Sequence, residues 1–134
     1  MNWTHNNLAF ALVDFFLVVV AYSMSLGLRI LDPMVGDPSV FWTHLAVAMP
    51  SIIAIHLLTN VLAGAYGSRA GQITAVVVAG FLSGVLLLVI SFLARTELGV
   101  VIPYTVIALG AGLTLVGMSL ARLPSRSRQW SGPP

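Results

Sequence analysis

Four long stretches of this chain are almost wholly apolar: Leu8 to Ile30, Val40 to Leu62, Ile73 to Ala94 and Val100 to Ala121. A helix rising 1.5 Å per residue needs roughly 20 such residues to cross a bilayer core of about 30 Å. The breaks between them carry turn and charge signals. Leu31 to Ser39 holds two prolines, a glycine and two acids, and Ala63 to Gly71 is glycine-rich. The third break, Arg95 to Gly99, is short, which predicts a tight antiparallel hairpin of spans three and four. Strands are the competing reading of the Val-rich runs. The runs are about twice the length of a barrel strand and lack its in–out alternation, and only helices and closed barrels satisfy their backbone in lipid. The pattern therefore predicts an all-α fold, an integral membrane four-helix bundle running antiparallel, up and down, over residues 1–122. A Ser-, Arg- and Pro-rich tail, 123–134, is expected to be a disordered cytoplasmic tail or linker.

Composition sharpens this picture. Of 134 residues, 58% are hydrophobic and 7% charged, too few charges to coat a soluble globule of this size, where about 25% is usual. The chain has no Cys, so it holds neither a disulfide nor a thiolate metal site. All six basic residues are Arg, and only Arg122, Arg126 and Arg128 cluster. That is the signature of a membrane flank in contact with lipid headgroups rather than of a nucleic-acid surface. The first apolar stretch is longer than a signal peptide's core of about 7–15 residues and has no Lys or Arg before it, so it reads as a retained helix.

Arginine placement orients the bundle. One side carries Arg69, Arg122, Arg126 and Arg128 with no acid, and the other carries Arg29 and Arg95 beside Asp32, Asp37 and Glu97. The positive-inside rule then puts both termini in the cytoplasm, which for a bacterial chain means a multi-pass protein of the inner membrane.

Polar residues at membrane depth are costly and are candidate functional groups. At about 100° per residue, Asp14, Val18, Tyr22, Ser25 and Arg29 fall within about 80° of one another and form a polar stripe along span one. The stripe is either a proton or cation site or a set of hydrogen bonds across the bundle, and the second is the expectation. In span two, His56 and Asn60 form an i, i+4 pair on one face, expected to bond inside the bundle, and Pro50 predicts a kink. His44 lies about 18 Å from His56 along the helix, so the two cannot share a metal. Gly80 and Gly84, with Ala79 and Ser83 alongside, and in span four Ala108 with Gly112 and Gly110 with Thr114, have the small-residue spacing that lets helices approach, within this bundle or between two copies in a homodimer. Trp3, Phe41, Trp42, Tyr66 and Tyr104 lie near span ends, where interfacial aromatic belts sit. No catalytic, cofactor-binding or metal-binding motif is present.

Several features resemble the N-terminal membrane domain of the bacterial polysaccharide-biosynthesis family, the membrane-bound nucleotide-sugar dehydratases and epimerases. They are Asp14 early in span one, Leu28-Arg29 closing it, Gly64-Ala65-Tyr66 after span two, Ile102-Pro103 opening span four and the exit through Arg122, Arg126 and Arg128. The order and spacing run through nearly the whole chain. Departures are Gly67-Ser68-Arg69-Ala70-Gly71, where the family is basic and aromatic, and Tyr104-Thr105, where it has Arg-Ser. The family's cytosolic Rossmann domain, with its cofactor and catalytic residues, is not among these 134 residues. The resemblance implies a non-catalytic anchor or interaction module for surface-polysaccharide assembly, partnered by the bilayer and by a fused or separate cytosolic nucleotide-sugar enzyme. The alternative is a small four-helix transporter, of the small multidrug-resistance type with Asp14 as its membrane-embedded acid, or a GtrA-like lipid-linked sugar carrier.

Overall fold

The computed structural model describes residues 5–31, 38–66 and 72–123. Four helices, α1 (His5–Ile30), α2 (Pro38–Ala63), α3 (Gln72–Glu97) and α4 (Tyr104–Ala121), account for nearly all of them. The fold is an all-α four-helix bundle. Each helix packs on its two neighbours in the order α1, α2, α3, α4 and back to α1, while the diagonal pairs keep their backbones apart and α2 meets α4 through side chains, Asn60 against Met118. Contacts run in opposite senses along each pair. Gly80 and Gly84 of α3 face Leu115 and Ala111 of α4, and Leu17 and Tyr22 of α1 face Gly117 and Gly110 of α4. The tail and the segments around Asp32, Asp37 and Arg69 lie outside the described residues, as do Trp3, Arg126 and Arg128.

The distribution of side chains is inverted relative to a protein in water. Asp14, Ser25, His56, Asn60, Ser83 and Thr114 are all buried, whereas Phe16, Leu62, Phe81 and Phe92 lie on the outside, Phe81 at 75% exposure. Such an outer surface would associate or precipitate in water and is satisfied in hydrocarbon. All four helices are long and apolar enough to cross a membrane, α4 being the shortest at 18 residues, or about 27 Å.

The third helix runs on to Glu97, and the fourth begins at Tyr104 instead of Val100, the start expected from hydropathy. Pro103 is the reason. A proline disfavours the helical region for the residue before it, so Val100 to Ile102 stay outside the helix although they are apolar. Pro103 itself caps α4, and its carbonyl accepts from the N–H groups of Val106 and Ile107. The non-helical segment would expose backbone groups to lipid, and two side chains meet that need. The Val101 N–H donates to Nδ1 of His44 at 2.8 Å, and Nη2 of Arg95 donates to the Ile102 carbonyl at 3.0 Å.

At the other end, α2 stops at Gly64, whose φ of 81° is the left-handed conformation that favours glycine. The Ala65 N–H returns to the Asn60 carbonyl and the Gly64 N–H to that of Val61, closing a Schellman motif. This cap turns the chain so that Ala65 and Tyr66 enter the bundle, where they are 0% and 1% exposed.

Gly110 allows the closest approach between helices. A Cβ there would lie 2.7 Å from Cδ1 of Tyr22 and under 3.0 Å from two further ring atoms. Gly112, expected on a packing face with Gly80 and Gly84, points outward and has nothing within 4 Å of its would-be Cβ. The α4 residues facing inward are Val106, Ile107, Gly110, Ala111, Thr114 and Met118, which puts Gly112 on the opposite side of the helix. Gly110→Ala is therefore expected to destabilise the bundle by about 1–3 kcal/mol through overpacking. Gly112→Ala should change stability by less than about 0.5 kcal/mol. Thermal unfolding in detergent, followed by circular dichroism, checks both, and equal effects at the two positions would refute the assignment of faces.

Candidate functional site

The polar stripe of α1 and the polar pair of α2 face each other, and their contacts form two layers. Side chains on a helix lean toward its N-terminus. In antiparallel neighbours they therefore lean past one another, so Tyr22 of α1 reaches His56 of α2 although their positions along the chain suggest different depths. The Tyr22 hydroxyl lies 2.9 Å from Nε2 of His56, and Nδ1 of His56 lies 3.1 Å from Oγ of Ser83 on α3. Ser83 donates its single proton to the Gly80 carbonyl at 3.0 Å. With that bond made, His56 donates from Nδ1 to Ser83 and its bare Nε2 accepts from Tyr22, the assignment that gives the Tyr22 proton an acceptor. Every proton in this layer has an acceptor, and the imidazole is neutral with both nitrogens occupied. Thr114, on α4, is also buried, and its hydroxyl has no hydrogen-bond partner among the described residues.

The second layer is centred on Asp14, which is fully buried. Its Oδ1 accepts from Nη1 of Arg122 at 3.0 Å and its Oδ2 from Nη2 at 2.8 Å, a bidentate ion pair with both side chains inaccessible. Oδ2 also accepts from the Tyr66 hydroxyl at 2.5 Å and from Nδ2 of Asn60 at 3.3 Å. Four donors thus converge on the carboxylate, three on Oδ2 and one on Oδ1. Nδ2 of Asn60 also lies 3.2 Å from the Met118 sulfur. The guanidinium is held between the rings of Phe10 and Tyr66, 4.9 and 5.4 Å from their centroids, and Nη1 reaches back to the Met118 carbonyl at 3.3 Å. Burial, and then the hydrogen bond to the Asp14 carboxylate, push the Tyr66 phenol above its ordinary range, so it is a committed donor.

Two expectations are corrected by this geometry. Arg122 does not reach the lipid headgroups: it folds back along α4 because the buried charge of Asp14 lies one layer inward and attracts it there. Tyr66 is not an interfacial belt residue, because the Gly64 turn carries it into the interior. Of the remaining stripe, Ser25 is buried but donates to Ala21 of its own helix, and Arg29 is half-buried at the opposite end, outside both layers.

The sequence reading missed the Asp14–Arg122 and Asp14–Tyr66 contacts. The signal for the first was present: a lone acid within a span requires a cation, and Arg122 closes the helix that packs beside it.

Chemically, the cluster holds charge in place and aims four fixed donors at one carboxylate. It contains no poised nucleophile. Among the described residues no group of three His, Cys, Asp or Glu is placed to hold a metal. The layers join α1, α2, α3, α4 and the turn after α2. Removing one partner of a buried ion pair leaves the other charge uncompensated, at a cost of about 3–5 kcal/mol. Asp14→Asn and Arg122→Gln should each lower stability by roughly 3 kcal/mol, and the double variant by clearly less than their sum. A double-mutant cycle on unfolding in detergent measures the coupling, and strict additivity would show that the pair does not act as a unit. Comparisons of this chain with protein-family models, curated proteins and solved structures find no match.

Proposed function

We propose that this chain is a non-catalytic membrane anchor or interaction module that serves the assembly of a surface polysaccharide at the cytoplasmic face of a bacterial inner membrane. The observation that carries this reading is the enclosure of Asp14 by Arg122, Tyr66 and Asn60. A proton- or cation-coupling acid must exchange its partner with each side of the membrane in turn. A carboxylate held bidentately by an inaccessible arginine, with a phenol and an amide on the same oxygen, is built to stay as it is. The arrangement favours a rigid scaffold over a transporter of the small multidrug-resistance type.

The association with sugar polymers draws on the resemblance of short motifs. Residues from three of them, Asp14, Tyr66 of Gly64-Ala65-Tyr66 and Arg122 of the arginine exit, make one cluster in space. Residues that resemble a family's pattern at three distant points of the chain thus serve one structural purpose. With the termini in the cytoplasm, the chain after α4 emerges on the side where nucleotide sugars are used. Inward rotation of Arg122 leaves Arg69, Arg126 and Arg128 as that side's remaining arginines, against Arg29 and Arg95 on the other.

Two measurements test the proposal. Deleting the chain in its source cell should lower surface polysaccharide, and the wild-type chain should restore it. Wild-type protein in proteoliposomes should drive no flux of lipophilic cations under an imposed pH gradient. Undiminished polysaccharide would remove the assembly role, and gradient-driven flux would replace the anchor with a transporter.

A further inference from the structure

The end of the bundle opposite Asp14 carries an arginine in a contrasting state. Arg95 closes α3, and no carboxylate is bound to it among the described residues. Its guanidinium lies 4.3 Å from the centroid of the Tyr104 ring, and Nη2 is tied to the Ile102 carbonyl at 3.0 Å. Its Nε has no acceptor among the described residues. The side chain is therefore fixed in place with its charge uncompensated among the described residues. Its height in the membrane follows from its neighbours: Trp42 at 42% and Tyr104 at 36% exposure lie at the same end, on the first turns of α2 and α4, where interfacial aromatics mark the headgroup level.

Beside Arg95 an apolar cleft runs between α2, α3 and α4. Ala48 and Ile52 of α2, Leu87 and Ser91 of α3, Ile102 of the segment before α4 and Ile107 of α4 line a cavity of about 50 Å³ within about 370 Å³ of open space. Ile90 and Ser51, also in its wall, are exposed on the outer surface, so the cleft opens sideways toward lipid. It meets the arginine directly. Ile102 is both a wall of the cleft and the acceptor of the Arg95 hydrogen bond, and Ser91 lies one helical turn from Arg95 on the same face of α3.

We propose that this is a binding site for one anionic phospholipid, its phosphate on the Arg95 guanidinium and the upper part of one acyl chain in the cleft. A lone hydrocarbon would leave the arginine without its anion, and a free phosphate would leave the cleft without an occupant. A lipid whose phosphate and chain are joined satisfies both with one molecule. The arginine's planar donors suit phosphate oxygens, and its attachment to Tyr104 and Ile102 limits the ordering that binding requires. The site lies at the opposite end from the Asp14 cluster and does not rest on the anchor reading.

Native mass spectrometry of the full chain in mild detergent tests it, with phosphatidylglycerol and phosphatidylethanolamine of identical chains titrated separately. The wild-type chain should retain one phosphatidylglycerol about fivefold more strongly than phosphatidylethanolamine, the preference expected of one arginine near the membrane surface. Arg95→Gln should abolish that preference. Ser91→Leu, which fills the cleft and keeps the arginine, should weaken retention of both lipids. Equal retention of the two lipids by the wild-type chain overturns the proposal and needs no variant to fold. So does a Ser91→Leu chain that binds as the wild type does, which would reduce the site to generic contact between an arginine and headgroups. Displacement of phosphatidylglycerol by millimolar inorganic phosphate would show that the arginine reads phosphate without its chain, and would also overturn it.

Discussion

The bidentate pair of Asp14 and Arg122 is the constraint on which the rest of the bundle depends. An unpaired carboxylate at this depth would be strongly unfavourable, and so would an arginine drawn in from the interface. Each is tolerable only with the other present. The pair joins the first helix to the residue that ends the fourth, so it forms only when the ring α1, α2, α3, α4 is closed. It also specifies register. Sliding α4 by one turn against α1 would move Arg122 by about 5.4 Å and break both hydrogen bonds. Apolar contacts between helices in lipid are poorly selective, since the tails outside are as apolar as the side chains within. A single geometry-demanding pair supplies the selectivity that hydrophobic burial cannot.

The same logic explains the second layer. Tyr22, His56 and Ser83 come from three helices, and the Ser83 bond to Gly80 leaves only one arrangement of protons that satisfies all of them. Gly110 is part of that arrangement, since the Tyr22 ring lies against it in the space a side chain would take. A glycine on α4 thus sets where a tyrosine on α1 can stand, and the tyrosine sets the tautomer of a histidine on α2. The irregular segment before α4 follows a related rule. Pro103 takes Val100 to Ile102 out of the helix, and His44 and Arg95 then supply the partners that the backbone has lost.

Much of this was legible in the sequence because lipid imposes strong rules. Spans of about 20 apolar residues have one common solution, and a helical period places Asp14, Val18 and Tyr22 on a single inward face without reference to any partner. What could not be read were the long-range contacts. Arg122 at a span end has a default role among headgroups, and only the packing of α4 against α1 shows that a buried acid is within its reach. Tyr66 lies where belt aromatics lie, and only the turn at Gly64 sends it inward. The start of α4 was misplaced because hydropathy measures apolarity and not conformation. Val100 to Ile102 are as apolar as a span while lying outside one, although Pro103 carried the conformational signal.

The two ends of the bundle answer the same electrostatic problem in opposite ways, and the difference bears on how such a scaffold meets its surroundings. At the Asp14 end a charge is neutralised from within by a buried ion pair, so that end does not call on the lipid around it for a counter-charge. At the Arg95 end the cation stacks on an aromatic ring and bonds to a carbonyl, neither of which cancels its charge. Among the described residues no carboxylate neutralises it. A cation–π contact and a carbonyl dipole orient an arginine well but compensate it weakly, so what they produce is a positioned positive charge at headgroup level. The Asp14 end therefore fixes the architecture by itself, and the Arg95 end leaves one electrostatic requirement for the membrane to fill.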